Sequence, residues 1–159
     1  MSKLIQRNIE GYAHWVELAS PILMGVLHIT PAKSGSNPTY DLEQLWRRIV
    51  FNICVSNVDD HLRNHGFLLD QNGWRLSPAY DMNPNPNGHG LKLNISESDN
   101  AQDLALAKEV SSYFRIREEK AASIIKEIVG VVSAWHIKAR RLKTPGREQD
   151  RMASAFLSS

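Results

Sequence analysis

The chain has 159 residues, 42% hydrophobic and 23% charged, enough for one compact domain with a sizeable core. Its 19 basic and 17 acidic residues leave a formal charge of +2, so any nucleic-acid or membrane partner has to be argued from a local patch. The apolar run Ile22 to Leu27 is far short of the ~20 residues of a membrane span, Met1-Ser2-Lys3 leads into no signal-peptide core, and the lone Cys54 sits in an apolar run as a core thiol; a cytoplasmic, non-exported protein is expected.

In chain order, Ile9, Tyr12, Ala13 and Val16 recur at helical spacing before Pro21, which predicts a helix over residues 1–20, with a second short apolar segment from Ile22 to Ile29. Pro31 to Thr39 is rich in Pro, Gly, Ser and Asn and reads as a loop. Asp41 then opens the most legible helix. Gln44 follows in a capping-box arrangement, and Leu42, Leu45, Trp46, Ile49, Val50 and Ile53 share one face. Arg47 and Arg48 lie off that stripe, as a solvated face or local ion pairs, with substrate binding as the alternative. The helix is expected to end near Val55-Ser56, so that the loop from Asn57 leaves a well-anchored element.

Gly66 to Leu69 and Trp74 to Leu76 flank Asn72-Gly73, a pair that favours a type I′ turn, and predict a hairpin. Asn83 to Gly90 alternates Asn with Pro and Gly and is neither helix nor central strand; it is expected to be a loop near the substrate. Leu91 to Ile95 alternates like a short strand, and Ser98-Asp99-Asn100 looks like the start of a helix carrying Leu104, Ala107, Ser111 and Phe114. Glu118-Glu119 opens a long helix with Ala121, Ile124, Ile125, Ile128, Val129, Val132 and Trp135 inward. After Thr144-Pro145-Gly146 comes a last short helix with Met152 and Phe156. With no internal repeat and no dividing linker, residues 1–159 are expected to form one mainly helical domain with a small β-hairpin.

The chemistry concentrates in Asn57-Val58-Asp59-Asp60-His61-Leu62-Arg63-Asn64 and in Tyr80-Asp81-Met82. An acidic residue, an Asn five positions later and a second Asp beyond a hairpin are the residue types a magnesium–nucleotide site needs. One carboxylate orients or deprotonates a hydroxyl, while a carboxamide oxygen and a second carboxylate hold hard cations that bridge phosphates. The separation of Asp59 from Asn64 equals that of the general kinase catalytic loop. Each residue also has a plain structural reading: Asp59 as a turn aspartate, Asn64 as a turn cap, His61 as a satisfied structural histidine. Asp60 is a rival to Asp59 that leaves one residue fewer before Asn64, and Asn57 is expected to brace the loop. A zinc site at His61 and His65 is disfavoured because Asn64-His65-Gly66-Phe67 runs into a strand.

The ordered set from Phe51-Asn52 to Leu68, followed by Trp74-Arg75-Leu76-Ser77-Pro78-Ala79-Tyr80-Asp81-Met82, resembles the C-terminal kinase lobe of the HipA proteins, the toxin kinases of bacterial toxin–antitoxin pairs. The resemblance implies a protein-kinase-like fold. It also implies ATP- and Mg2+-dependent phosphorylation of a serine or threonine hydroxyl, with growth arrest through a translation target such as an aminoacyl-tRNA synthetase, and autophosphorylation. By the same resemblance Asp59 is the base and Asn64 and Asp81 bind the metal. His61, Leu62, Arg63 and Tyr80 then join Asn64 and Asp81 around the nucleotide, and Asp59 rather than Asp60 faces the hydroxyl, which leaves Asp60 exposed or structural. A HipB-type DNA-binding antitoxin is the implied partner, with DNA reached through it and no membrane.

Neither a glycine-rich phosphate loop nor a strand lysine with its helix glutamate is legible, and Lys33 lies in a Pro- and Gly-rich stretch. The mechanism is therefore assigned to a complete kinase, and the lobe alone is expected to be inactive. Two other classes stay open: a non-catalytic lobe that binds antitoxin or DNA, and a small-molecule kinase of the aminoglycoside type. The first draws on Lys138, Arg140, Arg141 and Lys143, which otherwise read as a favourable cationic helix C-terminus.

Overall fold

The computed structural model describes residues 36–96 and 98–157; the two segments expected over 1–20 and 22–29 lie outside the described residues. The first element, α1, is Pro38–Cys54. It starts earlier than the capping-box reading at Asp41, because Asn37 is the N-cap, its side chain accepting from the Tyr40 amide at 3.3 Å, and Pro38 fills the first turn, where no donor is needed. Thr39 and Pro38 are thus helical rather than loop, and Asp41 is buried inside the first turn. The expected stripe holds: Leu42, Leu45, Trp46, Val50 and Ile53 are buried. Trp46 is fully enclosed, and its indole N–H donates to the Ala107 carbonyl at 2.9 Å, which satisfies the one polar atom the ring brings into the core.

Arg48 departs from the expectation of a solvated face. It is 8% exposed, and its guanidinium donates to the Ser77 carbonyl, tying α1 to the segment beyond the hairpin. Burial pulls its pKa down, against which Asp60, Tyr80 and Asp41 favour the charged form.

Strands β1 (Phe67–Asp70) and β2 (Gly73–Leu76) pair antiparallel, Phe67 opposite Leu76 and Asp70 opposite Gly73. The reversal therefore runs through Gln71-Asn72, one residue ahead of the expected Asn72-Gly73, and neither loop residue takes positive φ. Gly73 alone does, at 121°, so its freedom serves the first strand residue after a turn that Asp70 closes by accepting from the Asn72 amide at 2.8 Å.

Beyond the hairpin, Leu91 to Ile95 forms no strand. Leu91 and Ile95 are buried, as the alternation requires, but the backbone amides go to Asn100, Val58 and Asp99 carbonyls, leaving no ladder to pair. Helix α2, Leu104–Glu109, starts later than Ser98 because Asp103 is the N-cap, accepting from the Ala105 amide at 2.8 Å. A 3-10 turn, Val110–Phe114, follows and buries Ser111 and Phe114. Helix α3, Glu118–Ser133, buries Ala121, Ile124 and Val132 against α1. It stops before Trp135, which was expected to continue it. The Ser133 hydroxyl bonds back to the Gly130 carbonyl at 3.2 Å, and Trp135 opens a separate helix, α4 (Trp135–Arg141), with its ring stacked on Phe156 at 4.4 Å. Helix α5 is Gly146–Met152. The fold is mainly helical, with one two-stranded antiparallel sheet among the described residues.

Charges also cross-link α1 and α3. Arg47 meets Glu43 at 3.3 Å and Glu127 at 3.0 Å, while Lys120 reaches back to Glu43. The hydrogen bond from Lys120 leads the interactions that hold the Glu43 carboxyl below its ordinary 4.5. A carboxylate with a depressed folded pKa contributes stability that is complete above its unfolded value and is lost as pH falls through the folded one. Stability is therefore expected to decline as pH drops below about 4.5, and Glu43→Gln to lower stability at pH 7 by about 0.5–1 kcal/mol while flattening that acid limb, read by urea denaturation across pH. Cys54 behaves as the core thiol expected, with burial raising its pKa to about 11.

Candidate functional site

The loop of interest begins where α1 ends, and the end is tightly specified. Ser56 takes a left-handed φ of 50°, its amide donates to the Ile53 carbonyl at 3.3 Å, and the Asn57 amide donates to the Asn52 carbonyl at 2.9 Å. This is a Schellman closure with serine where glycine is usual. The Asn57 side chain repeats the tie, donating to Asn52 Oδ1 at 3.0 Å, so Asn57 is a brace as expected.

The tie continues inward. Asn52 donates through Nδ2 to Asp60 Oδ2 at 2.7 Å, and His65 Nε2 lies 3.1 Å from the same oxygen. Asn52, Asn57, Asp60 and His65 are all buried, at 2%, 2%, 8% and 9% exposure. Asp60 is therefore the structural aspartate of the loop. Buried polar atoms need partners, and this chain of side chains supplies them while pinning both ends of the loop to α1.

Asp59 faces the other way. Its side chain is 76% exposed, and Oδ1 accepts from Lys92 Nζ at 3.0 Å. That hydrogen bond and the Lys92 charge, followed by His61 and Arg63, hold the Asp59 carboxyl below its ordinary 3.8, so it is ionised at neutral pH and acts as an acceptor. A short 3-10 turn, Leu62–Asn64, carries the rest of the loop. Leu62 packs against the core and Arg63 is exposed. Asn64 is 5% exposed, its backbone amide goes to the His61 carbonyl at 2.8 Å, and its side-chain Nδ2 is buried without a partner among the described residues. His61 Nδ1 is likewise buried and has no partner among the described residues.

The hairpin brings the second segment back. The Ser77 amide donates to the Gly66 carbonyl at 2.8 Å just beyond the last strand pair, and the Tyr80 hydroxyl donates to the Arg63 carbonyl at 2.5 Å. The residue before Asp81 is thus bonded to the residue before Asn64. Asp81 itself is exposed, left-handed at φ 57°, and accepts from Asn83 Nδ2 at 2.7 Å. Asn83 to Gly90 closes over the start of the loop: a β-carbon on Gly88 would lie 2.6 Å from Val58 Cγ1, an approach only glycine permits.

The described residues thus join two segments through neighbours of Asn64 and Asp81, and set Asp59 beside Lys92. Compared with known protein families, residues 13–135, most of the chain, match the HipA-like C-terminal domain. The chain belongs to that family. No curated protein matches it.

Within this HipA-like domain, the contribution of Lys92 was not legible in sequence, whereas of the two readings for Asp60, exposed or structural, its burial decides for the structural one. Lys92 lies 33 residues from Asp59, and only the folded loop joins them. A cleft of about 710 Å3 lies elsewhere, between α2 and the start of α3, and is lined by Lys108, Ser111, Arg115 and Glu118 without any residue of the loop. Lys138, Arg140, Arg141 and Lys143 are exposed on and after α4. Among the described residues no helix is long and apolar enough to cross a membrane.

Proposed function

We propose that this HipA-like domain is the C-terminal catalytic lobe of a serine/threonine protein kinase with a protein-kinase-like fold, using ATP and Mg2+. The observation that supports it most is the pairing of an exposed, ionised Asp59 with a second segment tied through Tyr80 and Arg63 beside Asn64 and Asp81. The donor chemistry fits a hard cation: a carboxylate oxygen on Asp81 and a carboxamide oxygen on Asn64, a side chain whose buried Nδ2 has no partner among the described residues. When bound, Mg2+ supplies charge neutralisation at the phosphates. Asp59 accepts the hydrogen bond of the attacking hydroxyl and orients it, and takes its proton as the hydroxyl is consumed. Asn52, Asp60 and His65 keep the loop still, which matters because positioning provides much of the rate in phosphoryl transfer. The family also motivates a protein substrate, an antitoxin of the HipB type, and DNA contact through that antitoxin.

The test is calorimetric titration of ATP, with and without Mg2+, into the chain and into an N-terminally extended form. Mg2+-dependent binding is expected, weakened about 10–100-fold in Asp81→Asn by loss of one charged ligand. ATP binding unchanged by either Mg2+ or Asp81→Asn would exclude this site.

A further inference from the structure

We propose that Lys92 is a nucleotide-binding residue of this site, the cation that meets the terminal phosphate next to Asp59; this rests on the kinase reading above. The placement of Lys92 is unusual for a surface lysine. Its backbone amide donates to the Val58 carbonyl at 3.2 Å, so the residue is fastened directly to the loop that carries Asp59. On one side Leu91 is buried, with its amide on the Asn100 carbonyl at 2.9 Å and its carbonyl accepting from Asn100 Nδ2 at 2.7 Å. On the other, Ile95 is buried and its amide donates to Asp99 at 2.7 Å. The segment is held without help from the ammonium.

The ion pair therefore adds little to the fold. Lys108 to Glu118 and Lys120 to Glu43 bridge separate helical elements, whereas Lys92 to Asp59 spans two segments the backbone has already joined. With side chains 56% and 76% exposed, the pair is of the surface kind that contributes almost nothing to stability. What it does accomplish is to hold a positive charge 3.0 Å from the carboxylate that would receive the hydroxyl proton. An ammonium has three donors, and Asp59 uses one, which leaves two for phosphate oxygens. Arg48 is only 8% exposed, and its guanidinium, which donates to the Ser77 carbonyl, is enclosed in the fold. Phosphoryl transfer needs cations at its transferring oxygens.

The experiment treats the chain and its N-terminally extended form with an adenine nucleotide acyl phosphate in Mg2+, a reagent that acylates amines within reach of the terminal phosphate. Peptide mass spectrometry then compares Lys92 with Lys138 and Lys143. Lys92 is expected to be labelled at least about tenfold faster, with protection by ATP, and Lys92→Ala to weaken ATP binding about tenfold while Lys92→Arg restores most of it, as for one charge-assisted contact. Because Lys92 is exposed, the variants are expected to keep the parental denaturation midpoint. If ATP binds with Mg2+ but Lys92 reacts no faster than Lys138 and Lys143, the Lys92 assignment is wrong and the kinase reading stands. If ATP binds neither form, both fall together.

Discussion

Replacing Asp60 with alanine is expected to destabilise the domain by about 3–5 kcal/mol, the cost of removing one partner from a buried charged cluster. The substitution leaves Asn52 Nδ2 and His65 Nε2 without their shared acceptor and removes a carboxylate that offsets the burial of the Arg48 guanidinium. Asp60→Asn keeps one acceptor oxygen and should cost less, about 1–3 kcal/mol, because the charge is lost but not all of the hydrogen bonding. Urea denaturation at pH 7 measures both, and equal, near-zero effects would show that the network does not hold the loop.

The adjacent substitution should have the opposite profile. Asp59→Ala is expected to leave the denaturation midpoint within about 0.5 kcal/mol, since the side chain is 76% exposed and its ion pair among the described residues is the exposed one to Lys92. Under the proposed kinase reading, phosphate transfer to serine or threonine by the N-terminally extended form, assayed with radiolabelled ATP as autophosphorylation or on a protein acceptor, should fall about 10²–10⁴-fold, the range for losing a positioned proton acceptor. Two neighbouring aspartates would then separate cleanly, one affecting stability and the other rate. Their division is one of burial and partners: Asp60 is buried and accepts from Asn52 of α1, while Asp59 is exposed to solvent.

Much of this was legible because local rules carried it. The apolar stripe of α1 from Leu42 to Ile53 gave its face, since burial at helical spacing is a property of consecutive residues. The hairpin existed as expected, yet its turn moved by one residue, because Asn72-Gly73 is compatible with more than one reversal and pairing of Phe67 with Leu76 selected the register. Leu91 to Ile95 kept the inward alternation of a strand without becoming one, for want of a neighbouring edge. Arg48 lay on the wrong side of the helical stripe for burial, and only the Ser77 carbonyl arriving from beyond the hairpin drew it in.

The sequence by itself determined the mainly helical character, the family, and the spacing of Asp59, Asn64 and Asp81, because those depend on residue type and order along a short span. Tertiary structure alone decided that Asp60 is the buried anchor, that Tyr80 reaches the Arg63 carbonyl, and that Lys92 stands against Asp59. Those contacts join residues that the chain separates and that folding brings within hydrogen-bond distance, where burial and charge, rather than sequence spacing, determine which partner each side chain takes.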